Sequence, residues 1–183
     1  MSKKSINKKE VIKVIGEKVN QGVSRTEILN ELSEKYFDKK TLSMLIAATP
    51  DPTRIEKYKL LNNILLGLIF ITIISKILLG LFIFSQVSIA LIPLAFLFPI
   101  LNILFAFEVS RYKGYIYNIL GIITLAGIFN MLGKMGENGV FGIIDIIIGL
   151  LIAGLAFYVG NKMFPNYGLI GPKKNSKGEI ILE

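Results

Sequence analysis

An all-α integral membrane protein is the fold class this sequence predicts, with four transmembrane helices and a small N-terminal cytoplasmic helical head. Three observations carry that expectation. The 183 residues are 52% hydrophobic, yet residues 1–59 hold 13 of the 21 Lys+Arg and 8 of the 13 Asp+Glu. Residues 60–162 form an apolar body whose only charges are Lys76, Glu108, Arg111, Lys113, Lys134, Glu137, Asp145 and Lys162. That body has room for four spans of roughly 20 residues each. Runs such as Ile143-Ile144 and Ile146-Ile147-Ile148 leave no polar face that water could solvate.

The head comes first. Its lysine-rich start, Met1 to Glu10, has no apolar run behind it before Leu60. A signal peptide needs such a run, so the head is expected to stay on the mature chain. Residues 1–51 read as about three short helices. Val11, Val14, Ile15 and Val19 recur at helical spacing until Gly22. Ser24-Arg25-Thr26-Glu27 fits a capping box, with Ile28, Leu29, Leu32 and Tyr36 on one side of the helix behind it. Asp38 can cap a third helix bearing Leu42, Leu45 and Ile46.

Residues 52–162 are the expected transmembrane domain. Asp51-Pro52 is a helix start, and no breaker follows until the first span ends. One helix from near Pro52 to Phe84 is expected, about 50 Å long and so longer than the hydrocarbon alone requires. The spans fall at about 60–84, 87–107, 115–132 and 140–161. Ser85-Gln86 is a short first link, Glu108 to Gly114 the second, and Gly133 to Gly139 a mobile third, with glycines at 133, 136 and 139. Pro93 and Pro99 each free a backbone carbonyl and predict a kinked second span. Residues 163–183 read as a flexible cytoplasmic tail.

Orientation follows from the basic residues in the connections. Head, second link and tail, with Lys162, hold 19 of them; the other side holds Lys134 alone. Both termini are therefore expected in the cytoplasm of a bacterial-type inner membrane. Tyr58, Tyr112, Tyr115, Tyr117, Tyr158 and Tyr167 all fall near the expected cytoplasmic interface, where a phenol keeps its ring in lipid and its hydroxyl wet.

Polar residues inside the spans are the candidates for chemistry. Lys76 and Asp145 lie at similar expected depth. Each alone in hydrocarbon costs roughly 2.5–3.5 kcal/mol, so pairing between them is the cheap solution, as a structural ion pair or in ion or proton passage, the alternative being no contact with Lys76 snorkelling outward. Thr72, Asn102, Asn118, Thr124 and Asn130 are the further candidates for a polar path, with Asn102 placed deeper towards the cytoplasm. Gly142, Gly149, Ala153, Ala156 and Gly160 line one stripe of span four with Asp145, a helix-packing seam that would join subunits of a homo-oligomer.

Several classes are excluded by composition. Without Cys there is no disulfide framework or thiol chemistry, and without His or Cys no ordinary zinc, haem or His-assisted triad site. No catalytic constellation, metal site or cofactor is expected. Ser75 points about 100° from Lys76 on a helix, which makes a serine–lysine protease pair poor. Four-span transporters of the small multidrug type keep an acidic residue in their first span, and this first span has none.

Gly22-Val23-Ser24-Arg25-Thr26-Glu27-Ile28 followed by Thr41-Leu42 resembles the helix-turn-helix modules that bind DNA. The likeness covers about 30 residues and would imply a membrane-anchored nucleic-acid binder. The interval from Glu27 to Thr41 exceeds that of the compact version, so nucleic acid is the weakest reading. The leading expectation is a non-enzymatic channel or transport-like protein with a sensing or docking head. The alternative is a non-conducting scaffold, immunity or recruiting subunit. Membrane lipids, and a cytoplasmic protein on residues 1–59, are the expected partners.

Overall fold

The computed structural model describes residues 7–133, 135–169 and 171–182, with side chains in those ranges except at 135–141. Among the described residues the chain runs α1 (Lys8–Asn20), α2 (Arg25–Lys35), α3 (Lys39–Ala48) and α4 (Pro52–Val87). A 3-10 helix (Ile89–Leu97) follows, then α5 (Ile100–Ser110), α6 (Gly114–Leu132) and α7 (Met135–Met163). A short ribbon, β1 (Tyr167–Gly168) and β2 (Gly171–Pro172), closes the order. Two compact units result: Met1–Lys59 with Tyr112–Ile119 and Tyr158–Glu183, and Leu60–Arg111 with Leu120–Phe157.

The first unit is built on the head. Val11 and Ile15 of α1, Ile28, Leu29 and Leu32 of α2, and Leu42 and Ile46 of α3 form its core. Local chemistry sets each boundary. Gly22, at φ +78°, ends α1, and the Val23 N–H reaches back to the Lys18 carbonyl. That backbone curl favours glycine because a Cβ would be strained there. Ser24 Oγ accepts from the Glu27 N–H at 3.2 Å, and Asp38 Oδ1 from the Thr41 N–H at 2.9 Å, so both expected caps form. Arg25 has a structural role: its guanidinium donates to the Ile46 and Thr49 carbonyls at the end of α3, where orphan acceptors and the helix dipole favour a cation.

Of the stretch 163–183, expected to be flexible, the described residues 163–169 and 171–182 are folded into this unit. β1 pairs with β2, and Lys174 bridges to Ile180 across a turn at Gly178, φ +81°. Leu182 packs on the head core, and its carbonyl accepts the Thr26 hydroxyl at 3.3 Å. The physical reason is the apolar tip Ile180-Ile181-Leu182: its burial opposes the entropy of the polar residues before it. The ends of α6 and α7 join the same unit. Tyr117 is fully buried against Phe164, ring centroids 5.6 Å apart. Tyr117 is thus a core residue and not part of an interfacial belt. All six expected belt tyrosines nonetheless belong to this unit.

The second unit holds apolar helices. Four segments, Pro52–Val87, Ile89–Ser110, Gly114–Leu132 and Gly142–Met163, are long and apolar enough to cross a membrane. Only 22% of the most apolar window of the first is buried by the protein. Phe70, Leu78 and Phe82 of α4 and Phe129 of α6 face outward. A contiguous apolar exterior of this extent is unfavourable in water and natural in lipid. α4 runs 36 residues, about 54 Å, three residues past the expected end.

Two expectations are corrected here. The second span is not one kinked α-helix: nine residues of 3-10 helix contain Pro93, and Pro99 caps the separate α5. The two prolines remove two α-type donors six residues apart, which favours the tighter turn over that stretch. Gly80 of α4 admits the 3-10 segment closely, since a Cβ there would lie 2.9 Å from the Ala95 Cα. The third link is also shorter than expected, because α7 begins at Met135. Lys134, and the side chains of 135–141, lie outside the described residues.

Candidate functional site

The second unit contains a cavity of about 280 Å³ lined by α4, α5, α6 and α7. Most of its wall is apolar, from residues such as Phe105, Ile128 and Ile152. Its polar groups are Thr72, Ser75, Lys76, Asn102, Thr124 and Asp145.

A directed hydrogen-bond chain organises one wall. Lys76 Nζ donates to Asn102 Oδ1 at 2.7 Å. Asn102 Nδ2 donates to Thr72 Oγ1 at 2.9 Å, and the Thr72 hydroxyl donates to the Ile69 carbonyl at 2.7 Å. Thr72 and Lys76 stand one turn apart on α4, so one amide from α5 can bridge both. The chain fixes the Asn102 amide orientation, since its oxygen must face the ammonium. An ammonium has three donors, so two remain for the cavity.

Lys76 and Asp145 both line this cavity, within electrostatic reach of one another, while the hydrogen bond that holds the ammonium goes to Asn102 of α5. Ser75, set aside because of its angle to Lys76, lines the cavity as well.

The remaining candidates divide. Thr124 lines the cavity. Asn118 does not: it is buried in the other unit, donating to the Gly168 carbonyl at 2.6 Å and holding β1 against α6. Asn130 is exposed and is not among the cavity residues. Of the three amides Asn102, Asn118 and Asn130, Asn102 is the one that lines the cavity.

The stripe on α7 packs inside the chain. Gly142, Gly149, Ala153, Ala156 and Gly160 are all buried. A Cβ on Gly149 would meet the Ile128 side chain of α6 at 3.1 Å, and one on Gly160 the Tyr117 Cβ at 2.7 Å. Small residues are used here so that two helices of one chain approach closely. The stripe therefore no longer supports a seam between subunits.

The cavity is open at Ser75, Lys76 and Asp145, which are exposed, and can hold a small polar or charged solute, offering an ammonium, a carboxylate and hydroxyls between apolar walls. Comparisons of the chain with protein-family models, with curated proteins and with solved structures find no match.

Proposed function

We propose that this is a four-span inner-membrane protein, with both termini cytoplasmic, that passes a proton or small ion by way of the Lys76–Asn102–Asp145 cavity. The observation that supports it is the cavity itself: a cation held by Asn102, with a carboxylate on the same enclosure, inside helices otherwise chosen for lipid. Ionisable groups in spans are costly, and where they persist they face cavities and mark ion or proton routes. The 19-to-1 basic asymmetry supports the orientation. The head and tail, as one folded unit, would carry sensing or docking.

Proteoliposomes test this. With a pH dye inside and an imposed potassium diffusion potential, wild-type protein should acidify vesicles faster than empty controls. Planar-bilayer current with sodium and potassium covers small ions. Lys76→Met and Asp145→Asn should each abolish the signal in folded protein. Wild-type vesicles indistinguishable from empty ones in both assays would remove the reading.

A second reading, a non-conducting scaffold that docks a cytoplasmic protein, is favoured by Phe37. This phenylalanine is 71% exposed at the turn before α3, with Met44 partly exposed on that helix. Apolar residues presented this way suit a partner surface.

A further inference from the structure

We propose that the paired ends of α4 and α7 form a site for the headgroup of an anionic phospholipid. The proposal rests on the membrane reading above but not on ion passage. Tyr58 of α4 and Tyr158 of α7 meet edge to face, ring centroids 6.4 Å apart and planes at 78°. A cation stands over each ring: Lys57 Nζ is 5.7 Å from the Tyr58 centroid, and Lys162 Nζ 5.9 Å from that of Tyr158. Arg54, one turn before Tyr58, donates to the Lys162 carbonyl at 3.1 Å, which brings its guanidinium to the last turn of α7. Arg54, Lys57, Tyr158 and Lys162 are all exposed.

Charge and position point to one kind of occupant. A guanidinium has five N–H donors in a planar fork suited to a phosphate, and the carbonyl contact uses only part of it. Against the three cations Arg54, Lys57 and Lys162 stand two carboxylates, Glu56 on the same turn of α4 and Asp51, which already accepts from the Thr53 N–H at 2.8 Å and the Thr53 hydroxyl at 2.6 Å. The cluster therefore keeps a net positive charge. In sequence, Tyr58 stands two residues before the apolar run that opens at Leu60, and Tyr158 directly follows Phe157 at the close of another. Tyrosines and basic residues at such a boundary sit at headgroup level. Basic pockets between transmembrane helices on the cytoplasmic side select acidic headgroups. Phosphatidylglycerol supplies both parts: its phosphate for Arg54 and Lys162, its glycerol and upper chains for the tyrosine edges.

The test uses full-length protein in detergent with added phosphatidylglycerol, phosphatidylcholine or inorganic phosphate, read by native mass spectrometry and thermal unfolding. Phosphatidylglycerol should bind and raise the unfolding temperature; the other two should not. Lys57→Gln with Lys162→Gln should weaken phosphatidylglycerol binding about thirtyfold, as expected for two cations near an anionic surface. The charge-matched control Lys8→Gln with Lys9→Gln, on α1, should leave it unchanged. Equal stabilisation by inorganic phosphate would overturn the lipid assignment. Equal weakening by both double variants would overturn the site in favour of diffuse charge. Failure of wild-type protein to float with reconstituted vesicles would overturn both the site and the membrane reading; flotation without phosphatidylglycerol preference overturns the site alone.

Discussion

Three glycines on α7 meet different surroundings, and that difference makes a graded prediction. An added Cβ at Gly160 would lie 2.7 Å from the Tyr117 Cβ, at Gly149 3.1 Å from the Ile128 Cδ1 and Cγ1, and at Gly154 it would meet nothing within 4 Å. Ordinary carbon–carbon contact lies near 3.5–4.0 Å. Gly160→Ala must therefore open the α6–α7 seam by nearly an ångström, against a Cβ attached directly to backbone and a ring fully buried on Phe164. Such overpacking costs about 1–3 kcal/mol. Replacing a helical glycine by alanine returns up to about 1 kcal/mol at every site. With the full return the net expectation is a loss of up to about 2 kcal/mol at Gly160, near zero at Gly149 where the end of a flexible isoleucine can yield, and a gain of up to about 1 kcal/mol at Gly154. At roughly 2–4 °C per kcal/mol for a chain of this size, Gly160→Ala should lower the unfolding temperature by up to about 8 °C. Thermal unfolding in detergent, followed by circular dichroism, reads all three. A Gly154→Ala loss as large as that of Gly160→Ala would refute the seam, because these helical faces would then be equivalent.

Lys76 should couple to Asn102 more strongly than to Asp145. A double-mutant cycle with Lys76→Met and Asn102→Leu should show about 0.6–1.7 kcal/mol of interaction, the range for polar contacts between membrane helices; a larger coupling between Lys76→Met and Asp145→Asn would make the carboxylate, and not the amide, the lysine's main partner. Leu182→Ala should speed hydrogen exchange of residues 173–182, since it removes the apolar seat on the head core; unchanged exchange would mean the seat holds nothing in place. Acid should loosen the head. The Asp38 carboxyl is held below its ordinary value of 3.8, first by the Thr41 hydroxyl and then by the Thr41 N–H. A depressed folded value means that this stability is fully present above about pH 4 and fades as pH falls towards the folded value. Asp38→Asn keeps a cap and should flatten urea-unfolding midpoints between pH 5 and pH 3 relative to wild type; an unaltered slope would count against the cap as a source. A cysteine at Ser176 should be shielded from an impermeant thiol reagent in intact cells and one at Asn138 should label, as the basic asymmetry requires; the reverse would invert the topology.

What the sequence determined alone is what depends on neighbours along the chain. The caps at Ser24 and Asp38, the turn at Gly22 and the long helix from Pro52 were all legible, because each rests on contacts five residues away or less. The four apolar spans were legible because their length and composition are a property of solvation, not of partners. The small-residue stripe was legible as a close-packed face, but its partner was not: periodicity says which side of α7 is thin and never which helix will use it. Tertiary structure decided that α6 does. It also decided the fates of the amides. Asn118 and Asn102 look alike in sequence, yet one pins the Gly168 carbonyl and the other holds Lys76. Periodicity along each span does not say which amide will meet the lysine; the packing of α5 against α4 decided it. The tail was the same kind of case. A polar run at 173–178 reads as flexible by composition, and only the groove on the head core, assembled from three helices, gives Leu182 a place whose burial outweighs the disorder.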